Sequence, residues 1–403
     1  MKYTPEEVMQ FVQEEEIKFI RLAFCDVYGK QHNVAIMPGE LKRAFEFGIA
    51  IDASAIGGFG GEVRSDLLLH PDASTLIQLP WRPEQGKVVR MFCDISYPDG
   101  RAFECDTRGI LKQAVAVAVE AGYAFTFGAE MEFYLFKVDE NGEPTKVPYD
   151  HAGYMDIAPD DKGENIRREI CLMLEQMGIC PESSHHESGP GQNEIDFRYS
   201  DPLTAADNAI TFNAIVRTVA AQNGLWASFS PKPLPEWDGN GMHINIAAKG
   251  DEKMVLLPCV IAGILEKINE MTLFLNPCEE SYRRLGHDKA PRYVTWSAEN
   301  RSQLIRIPAA VGEHQRAELR SADPTANPYI AYALLIYASL YGIQHNLTLP
   351  PATDVNLYNA SSEALSSLKK LPVSLYEATA VTMSGSFAQA YLPEAVIRAY
   401  SHR

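Results

Sequence analysis

Polar and apolar positions alternate along four short segments of this chain. They are Glu130 and Glu132 in GAEMEFYLF, Glu194, Asp196 and Arg198 in NEIDFR, His243 and Asn245 in MHINI, and Arg316, Glu318 and Arg320 in RAELR. On a β-strand this spacing puts the named side chains on one face. Met131, Phe133, Ile195, Phe197, Met242, Ile244, Ala317 and Leu319 then share the other face. The pattern predicts strands that rest one face on a core and turn the other into a cavity.

The remaining periodicity predicts what surrounds them. TPEEVMQFVQEEE reads as an acidic amphipathic helix, and strands follow over 17–26 and 32–38, joined by a turn at Tyr28-Gly29. A short helix near 39–47 and strand-like runs LLLHP, TLIQLPW and VVRMFCDI complete a small mixed region. The turn chemistry of Tyr97-Pro98-Asp99-Gly100 marks a domain boundary, so residues 1–105 and 106–403 are expected to form two domains. Asp106 then caps a helix ending at Gly122. Beyond it strands (126–136, 193–199, 241–247, 292–308, 315–321) alternate with helices (164–177, 204–223, 255–272, 328–342). The polar-faced strands are thus drawn from distant sequence into one sheet, an α+β arrangement. The stretch after residue 342 has weak periodicity and predicts no defined element.

A length of 403 residues allows two full cores. The formal charge of −17 argues against a general nucleic-acid binder, while metal ions and a local arginine cluster still allow a nucleotide. Seven cysteines without CxxC spacing read as buried thiols of a reducing, cytoplasmic compartment. The apolar run Tyr329 to Ile343 is too short to span a bilayer and follows the helix-start signal Asn327-Pro328, so it reads as a core helix. No targeting signal and no membrane association are expected.

The chemistry sits on the strand faces. SHHESGPGQNE places Glu187 ahead of Glu194 across a glycine-rich turn, which lets both carboxylates reach one ion. Glu132, Glu187 and Glu194 make one expected ion site, and Glu130, His243 and Glu318 a second. One such acid alone is ordinarily a surface salt-bridge partner; six ligands placed on strand faces or a glycine-rich loop point to metal. Arg301, Arg306, Arg316 and Arg320 lie among apolar residues, where a guanidinium needs a carboxylate or phosphate. Two divalent ions and several guanidiniums suit phosphoryl transfer.

The ordered motifs DxSxxxGF, GxExEF, HHE-x6-E, GxGMH, RLGHDKAP, NRS-x2-IRIP and R-x-E-x-R-x2-D-x3-NPY resemble glutamine synthetase of the bacterial type I class. The resemblance implies an N-terminal β-grasp domain and a catalytic domain built on an antiparallel sheet cradle flanked by helices. It implies active sites between subunits of a homo-oligomer, a hexameric ring or a stacked-ring dodecamer. It implies Mg²⁺ or Mn²⁺, two or more ions per site, with ATP, glutamate and ammonia as substrates. By the same resemblance Glu132, Glu187 and Glu194 hold the ion nearer glutamate, and Glu130, His243 and Glu318 the ion at the nucleotide phosphates. Arg284, Arg320, Gly239 and Asp238 face glutamate. Arg301 stabilises the transferring phosphoryl group, Glu182, Arg306 and Arg316 contact ATP, and Asp52 comes from a neighbouring subunit to hold ammonium.

Departures from the family pattern cluster on the ammonia side. Lys289 stands where an acid normally precedes Ala-Pro, with Asp288 one residue earlier as a substitute after a register shift. Ala55 replaces a hydroxyl, and Asp238 an asparagine. A segment after His243 and a C-terminal tail common in the family are missing, which leaves the stacking of rings open. The expected activity is a glutamate–ammonia ligase acting through γ-glutamyl phosphate. Ligation of glutamate to a primary amine on the same fold, or a catalytically weak regulatory ring protein, are the alternatives. Tyr358 in VNLYNAS resembles a tyrosine that some family members adenylylate, and a packed loop tyrosine is the other reading.

Overall fold

The computed structural model describes residues 3–60, 65–82, 85–250, 255–309 and 315–402. The chain opens with α1 (Pro5–Glu14), whose first turn is closed by a capping box between Thr4 and Glu7. Then come β1 (Phe19–Cys25), β2 (Gln31–Ile36), α2 (Leu41–Phe47), β3 (Ile49–Asp52), β4 (Asp66–Pro71), β5 (Ile77–Gln78) and β6 (Val88–Ser96). They form a sheet in the order β2-β1-β6-β4-β3, with β5 beside β6. β1 and β6 run parallel and the other pairs antiparallel. The expected strand TLIQLPW shrinks to β5, because Asp72 draws Ala73–Thr75 into a 3-10 turn by accepting from the Ser74 amide at 3.1 Å.

The second sheet gathers β7 (Ala124–Val138), β8 (Pro144–Pro148), β9 (Pro181–His186), β10 (Gln192–Phe197), β11 (Leu225–Ser228), β12 (Met242–Lys249), β13 (Trp296–Ala298), β14 (Ile305–Ile307) and β15 (Ala317–Leu319). Its order is β13-β14-β15-β12-β7-β10-β9, with β8 and β11 also on β7. The strands β8, β9 and β11 carry no strong alternation and were not anticipated. The expected long strand over 292–308 breaks into β13 and β14 around a turn at Asn300, whose side chain accepts from the Ser302 amide. All eight apolar residues expected on the rear face are buried.

Behind that face lie α3 (Thr107–Glu120), α4 (Glu164–Gln176), α5 (Pro202–Gln222), α6 (Leu257–Leu275) and α8 (Pro328–Gln344), while α7 (Glu279–Arg284) brings Arg284 to the cavity. Asp106, Asp201 and Asn327 cap α3, α5 and α8 by accepting from the amides of Arg108, Thr204 and Tyr329. Helices α6 and α8 cross closely at Gly263 and Gly342. A Cβ on Gly263 would lie 2.1 Å from the Ala338 carbonyl, and one on Gly342 2.0 Å from that of Cys259. Phe127 of β7 stacks on Tyr332 of α8 at 4.5 Å, joining sheet to helix layer.

The C-terminal stretch is helical, against expectation: α9 (Ser362–Ser366), α10 (Leu375–Ser384), α11 (Phe387–Tyr391) and α12 (Glu394–Ser401). These helices are short, α9 buries none of its residues and the others only two or three each, such as Val396, Ile397 and Tyr400 of α12, which weakens the periodic signal. Tyr400 donates to the Val27 carbonyl at 2.9 Å and ties the end of the chain to the first sheet.

A buried ionic knot also joins the two regions. Arg108 on α3 reaches Asp207 on α5 through two bonds of 3.1 Å, Asp72 at 2.9 Å and Asp94 on β6 at 3.1 Å. The Tyr329 hydroxyl donates to Asp207 at 2.6 Å. All seven cysteines are free, but the reading of all as buried holds for only four: Cys171 and Cys278 are half-buried, and Cys180 is exposed just before β9. Among the described residues no helix is long and apolar enough to cross a membrane.

Candidate active site

Strand register assembles the site. β10 sets Glu194 opposite Glu132 and Asp196 opposite Glu130 across β7. β12 sets His243 opposite Glu130, and β15 sets Glu318 opposite Asn245. On the other flank β9 sets His185 opposite Glu194, and the chain turns at Glu187 before returning as β10. The result is two polar rows on one sheet face, at the floor of a cavity of about 790 Å³.

Glu130, Glu132, Glu187, Glu194, His243, Asp238, Gly239, Arg284, Lys289, Arg301, Arg306 and Arg320 all line this cavity. Glu318 lies beneath it, fully buried, gripped by Arg306 Nε and Arg320 Nη1 at 2.5 Å each. Arg316 sits to the side, donating to Asn245 Oδ1 at 2.9 Å beside the Tyr199 ring. Glu182 is outside the cavity lining: it is exposed on β9, and its carboxylate lies 4.0 Å from Arg198. Asp52 belongs to the first sheet and faces solvent at the end of β3, away from the cavity lining of its own chain. Its carboxylate accepts from the Ser54 amide at 2.9 Å, and those hydrogen bonds hold its pKa below the usual value. Ala55 lies in the same short turn.

Two groups of donors could each hold a divalent ion. Glu130, His243 and Glu318 present atoms within 4.8 Å of one another, and so do His185, Glu187 and Glu194. Glu132 lies between the groups. One of its oxygens accepts from the Gly241 amide at 2.8 Å and from Gln192 at 3.2 Å, while the other lies 3.8 Å from His243 Nε2. Glu130, Glu194 and Asp196 make a third, overlapping group. Sequence reasoning missed His185 as a ligand, although its spacing two residues before Glu187 on a strand end was visible.

The electrostatics call for a cation. Burial, then the charges of Glu132 and Asp196, push the Glu194 carboxyl well above its ordinary pKa. Burial and Glu130 push Asp196 up to about 6. Burial opposes the charge of Glu130 too, but the hydrogen bond from His243 prevails and holds it at about 2. Crowded buried carboxylates are stable together only with protons or a counter-cation among them. Oxygen donors with one imidazole in each group fit Mg²⁺ or Mn²⁺.

Four guanidiniums, those of Arg284, Arg301, Arg306 and Arg320, also line the cavity. Arg284 and Arg320 are almost fully buried, and Arg284 donates to the backbone carbonyls of Ser321 (2.7 Å) and Arg320 (3.2 Å). Gly239 lets the chain pass between them and the neighbouring loop, since a Cβ there would lie 2.3 Å from the Pro231 carbonyl. Tyr358 packs by its hydroxyl, donating to the Lys289 carbonyl at 2.7 Å with the Arg301 carbonyl 3.2 Å away. The tyrosine therefore braces two cavity loops at once. Asp288 takes φ +51° and turns its carboxylate to Lys232 at 2.5 Å, so it does not stand in for an acid at position 289.

A hidden network holds the Glu187 turn. His186 is fully buried, with Nε2 2.9 Å from Asp150 Oδ1 and Nδ1 2.6 Å from the Glu187 carbonyl. Asp150 also accepts from the Gly191 amide at 3.0 Å, closing the turn from both sides.

Comparison with known proteins agrees along the chain. Residues 16–98 match the family described as glutamine synthetase, beta-grasp domain, and residues 104–403 match glutamine synthetase, catalytic domain. The chain is 43% identical over 415 residues to a glutamine synthetase of Clostridium saccharobutylicum, covering 99% of this chain and 94% of that one. It is 42% identical over 413 residues to a glutamine synthetase of Methanosarcina mazei, covering 98% and 92%. Among solved structures, a GmaS/ADP complex superposes with a TM-score of 0.87 at 27% identity, covering 98% of this chain and 94% of that one.

Proposed function

The chain belongs to the glutamine synthetase family of ATP-dependent, metal-using ligases, and from that premise we propose that it joins glutamate to ammonia through γ-glutamyl phosphate. The observation that carries this reading is the gathering of two carboxylate–imidazole groups and four guanidiniums in one cavity. Glu130, His243 and Glu318 would hold one ion, and Glu187 and Glu194, with Glu132 or His185, the other. Ions bound there would neutralise charge on the phosphate oxygens during transfer.

The chain's own groups divide the remaining work. Arg284 and Arg320 would bind the carboxylates of glutamate, with Gly239 giving close approach and Asp238 facing the amine. Arg301 would meet the charge that develops on the transferring phosphoryl group. Arg306 and Arg316 would contact the nucleotide; Glu182, exposed outside the cavity, would do so only at its rim. Asp52 is exposed and charged, and would complete the ammonium site from a second copy of the chain in a ring-shaped homo-oligomer. The domain division would fall between residues 105 and 106.

A second reading, ligation of glutamate to a primary amine, is favoured by one observation for an amine weakly basic enough to arrive uncharged: the Lys289 ammonium group stands beside Glu187 and Asp238, where a cation would otherwise be held. Phosphate release from ATP with Mg²⁺ and glutamate, comparing ammonium, hydroxylamine and a panel of primary amines, tests both. Strong stimulation by ammonium is expected. Stimulation by an organic amine alone would move the function to the second reading, and silence with every acceptor would refute both.

A further inference from the structure

Lys289 brings a primary ammonium group into the cavity. Its Nζ lies 3.3 Å from Glu187 Oε2 and 3.8 Å from Asp238 Oδ2, donates to Ser188 Oγ at 2.5 Å, and stands 4.7 Å from the centre of the Tyr154 ring. Two carboxylates, a hydroxyl and an aromatic face are the surroundings that hold a small cation. The root of the side chain is fixed as well, since the Lys289 carbonyl accepts from Tyr358. The adjacent acid, Asp288, is engaged by Lys232 and leaves Lys289 to these partners.

We propose that Lys289 determines acceptor selectivity: its ammonium group is a resident cation of the Glu187–Asp238 corner. Free ammonium must displace it, whereas an acceptor that arrives uncharged meets no such competitor. The inference rests on the ligase reading above and adds to it how the acceptor is chosen: one that arrives uncharged is favoured over a cation. The competition is unequal because a tethered group is present at an effective concentration of about millimolar or higher, whatever the solution holds. Glu187 also belongs to the His185–Glu187–Glu194 group, so the same lysine competes with a divalent ion for that carboxylate.

The test compares the full chain with Lys289→Gln and Lys289→Arg. Hydroxylamine is uncharged at neutral pH and reports the same transfer without the cation. In Lys289→Gln the ratio of the ammonium KM to the hydroxylamine KM, read from phosphate release, should fall about tenfold. In Lys289→Arg, which keeps the charge, the ratio should stay within about twofold. An unchanged ratio in Lys289→Gln, or an equal fall in Lys289→Arg, overturns the proposal. Mn²⁺ binding to the nucleotide-free protein, followed by calorimetry, gives a reading independent of turnover. It should tighten about tenfold in Lys289→Gln, and unchanged affinity overturns the resident-cation reading by itself. Silence with every acceptor in all three proteins overturns the ligase reading and the acceptor assignment with it; the Mn²⁺ result then decides separately whether Lys289 occupies the corner.

Discussion

Arg108→Met removes the centre of the knot between the two sheets while keeping much of the side-chain volume. Arg108 is only 4% exposed and faces three carboxylates, those of Asp72, Asp94 and Asp207. Burial opposes its charge, but the neighbouring Asp207 carboxylate outweighs that and holds the guanidinium firmly protonated. Lys112 lies 2.6 Å from Asp94 and 3.7 Å from Asp72, so those two acids keep a cation when Arg108 goes. Asp207 loses its only direct ion-pair partner among the described residues: its side chain is 11% exposed and retains the Tyr329 hydroxyl as donor, with the charge of the buried Arg90 guanidinium nearby. Breaking a buried ion pair costs about 3–5 kcal/mol, and the remaining donor with the nearby Arg90 charge places this case at the low end, near 3 kcal/mol. Asp94→Asn is the contrast. That carboxylate is 43% exposed, and the loss should stay below about 1 kcal/mol. Urea unfolding followed by tryptophan fluorescence and far-UV circular dichroism measures both. Arg108→Met should also separate one transition into two as the sheets uncouple. A loss below about 1 kcal/mol for Arg108→Met, or equal losses in the two variants, would refute the reasoning.

Other expectations follow from the same geometry. Burial, then Asp94, pushes the Asp106 carboxyl up to about 6. The folded value lies above the unfolded one, so its contribution to stability is full below about pH 4 and is lost as pH rises through about 6. Asp106→Asn keeps the cap and should therefore gain about 2–3 kcal/mol on the parent between pH 4 and pH 7.5, read from urea midpoints; a pH-independent difference would sink the idea. Glu194→Gln relieves carboxylate repulsion, so the metal-free protein should melt higher while the rise in Tm on adding Mn²⁺ shrinks. An unchanged Mn²⁺ shift would exclude Glu194 as a ligand. His186→Gln disturbs the support of the Glu187 turn and should weaken Mn²⁺ binding about ten- to a hundredfold by calorimetry, as loss of an outer hydrogen-bond partner does. Affinity within twofold of the parent would count against that role.

Much of this molecule is written in local pattern. The alternation in GAEMEFYLF, NEIDFR and MHINI determined which side chains face the core and which turn to the other side, because successive residues of a strand point to opposite sides; Arg198 lies past the end of β10 and points to solvent, outside the cavity. Capping residues Asp106 and Asn327 likewise announced where two helices begin, since their side chains answer amides two residues away. The ordered motifs carried the family.

Adjacency is a different matter. That His185 joins Glu187 and Glu194, that Glu318 sinks beneath the floor between Arg306 and Arg320, and that Asp288 swings to Lys232 while Lys289 enters the cavity are outcomes of strand register and loop packing. The short C-terminal helices belong here too, because their few buried residues find partners only when the rest of the chain has folded. A strand's sterics act over two residues and a cap's hydrogen bond over three, so the sequence by itself determined faces and boundaries. Which faces meet depends on contacts summed over the whole chain, and those only the tertiary structure decided.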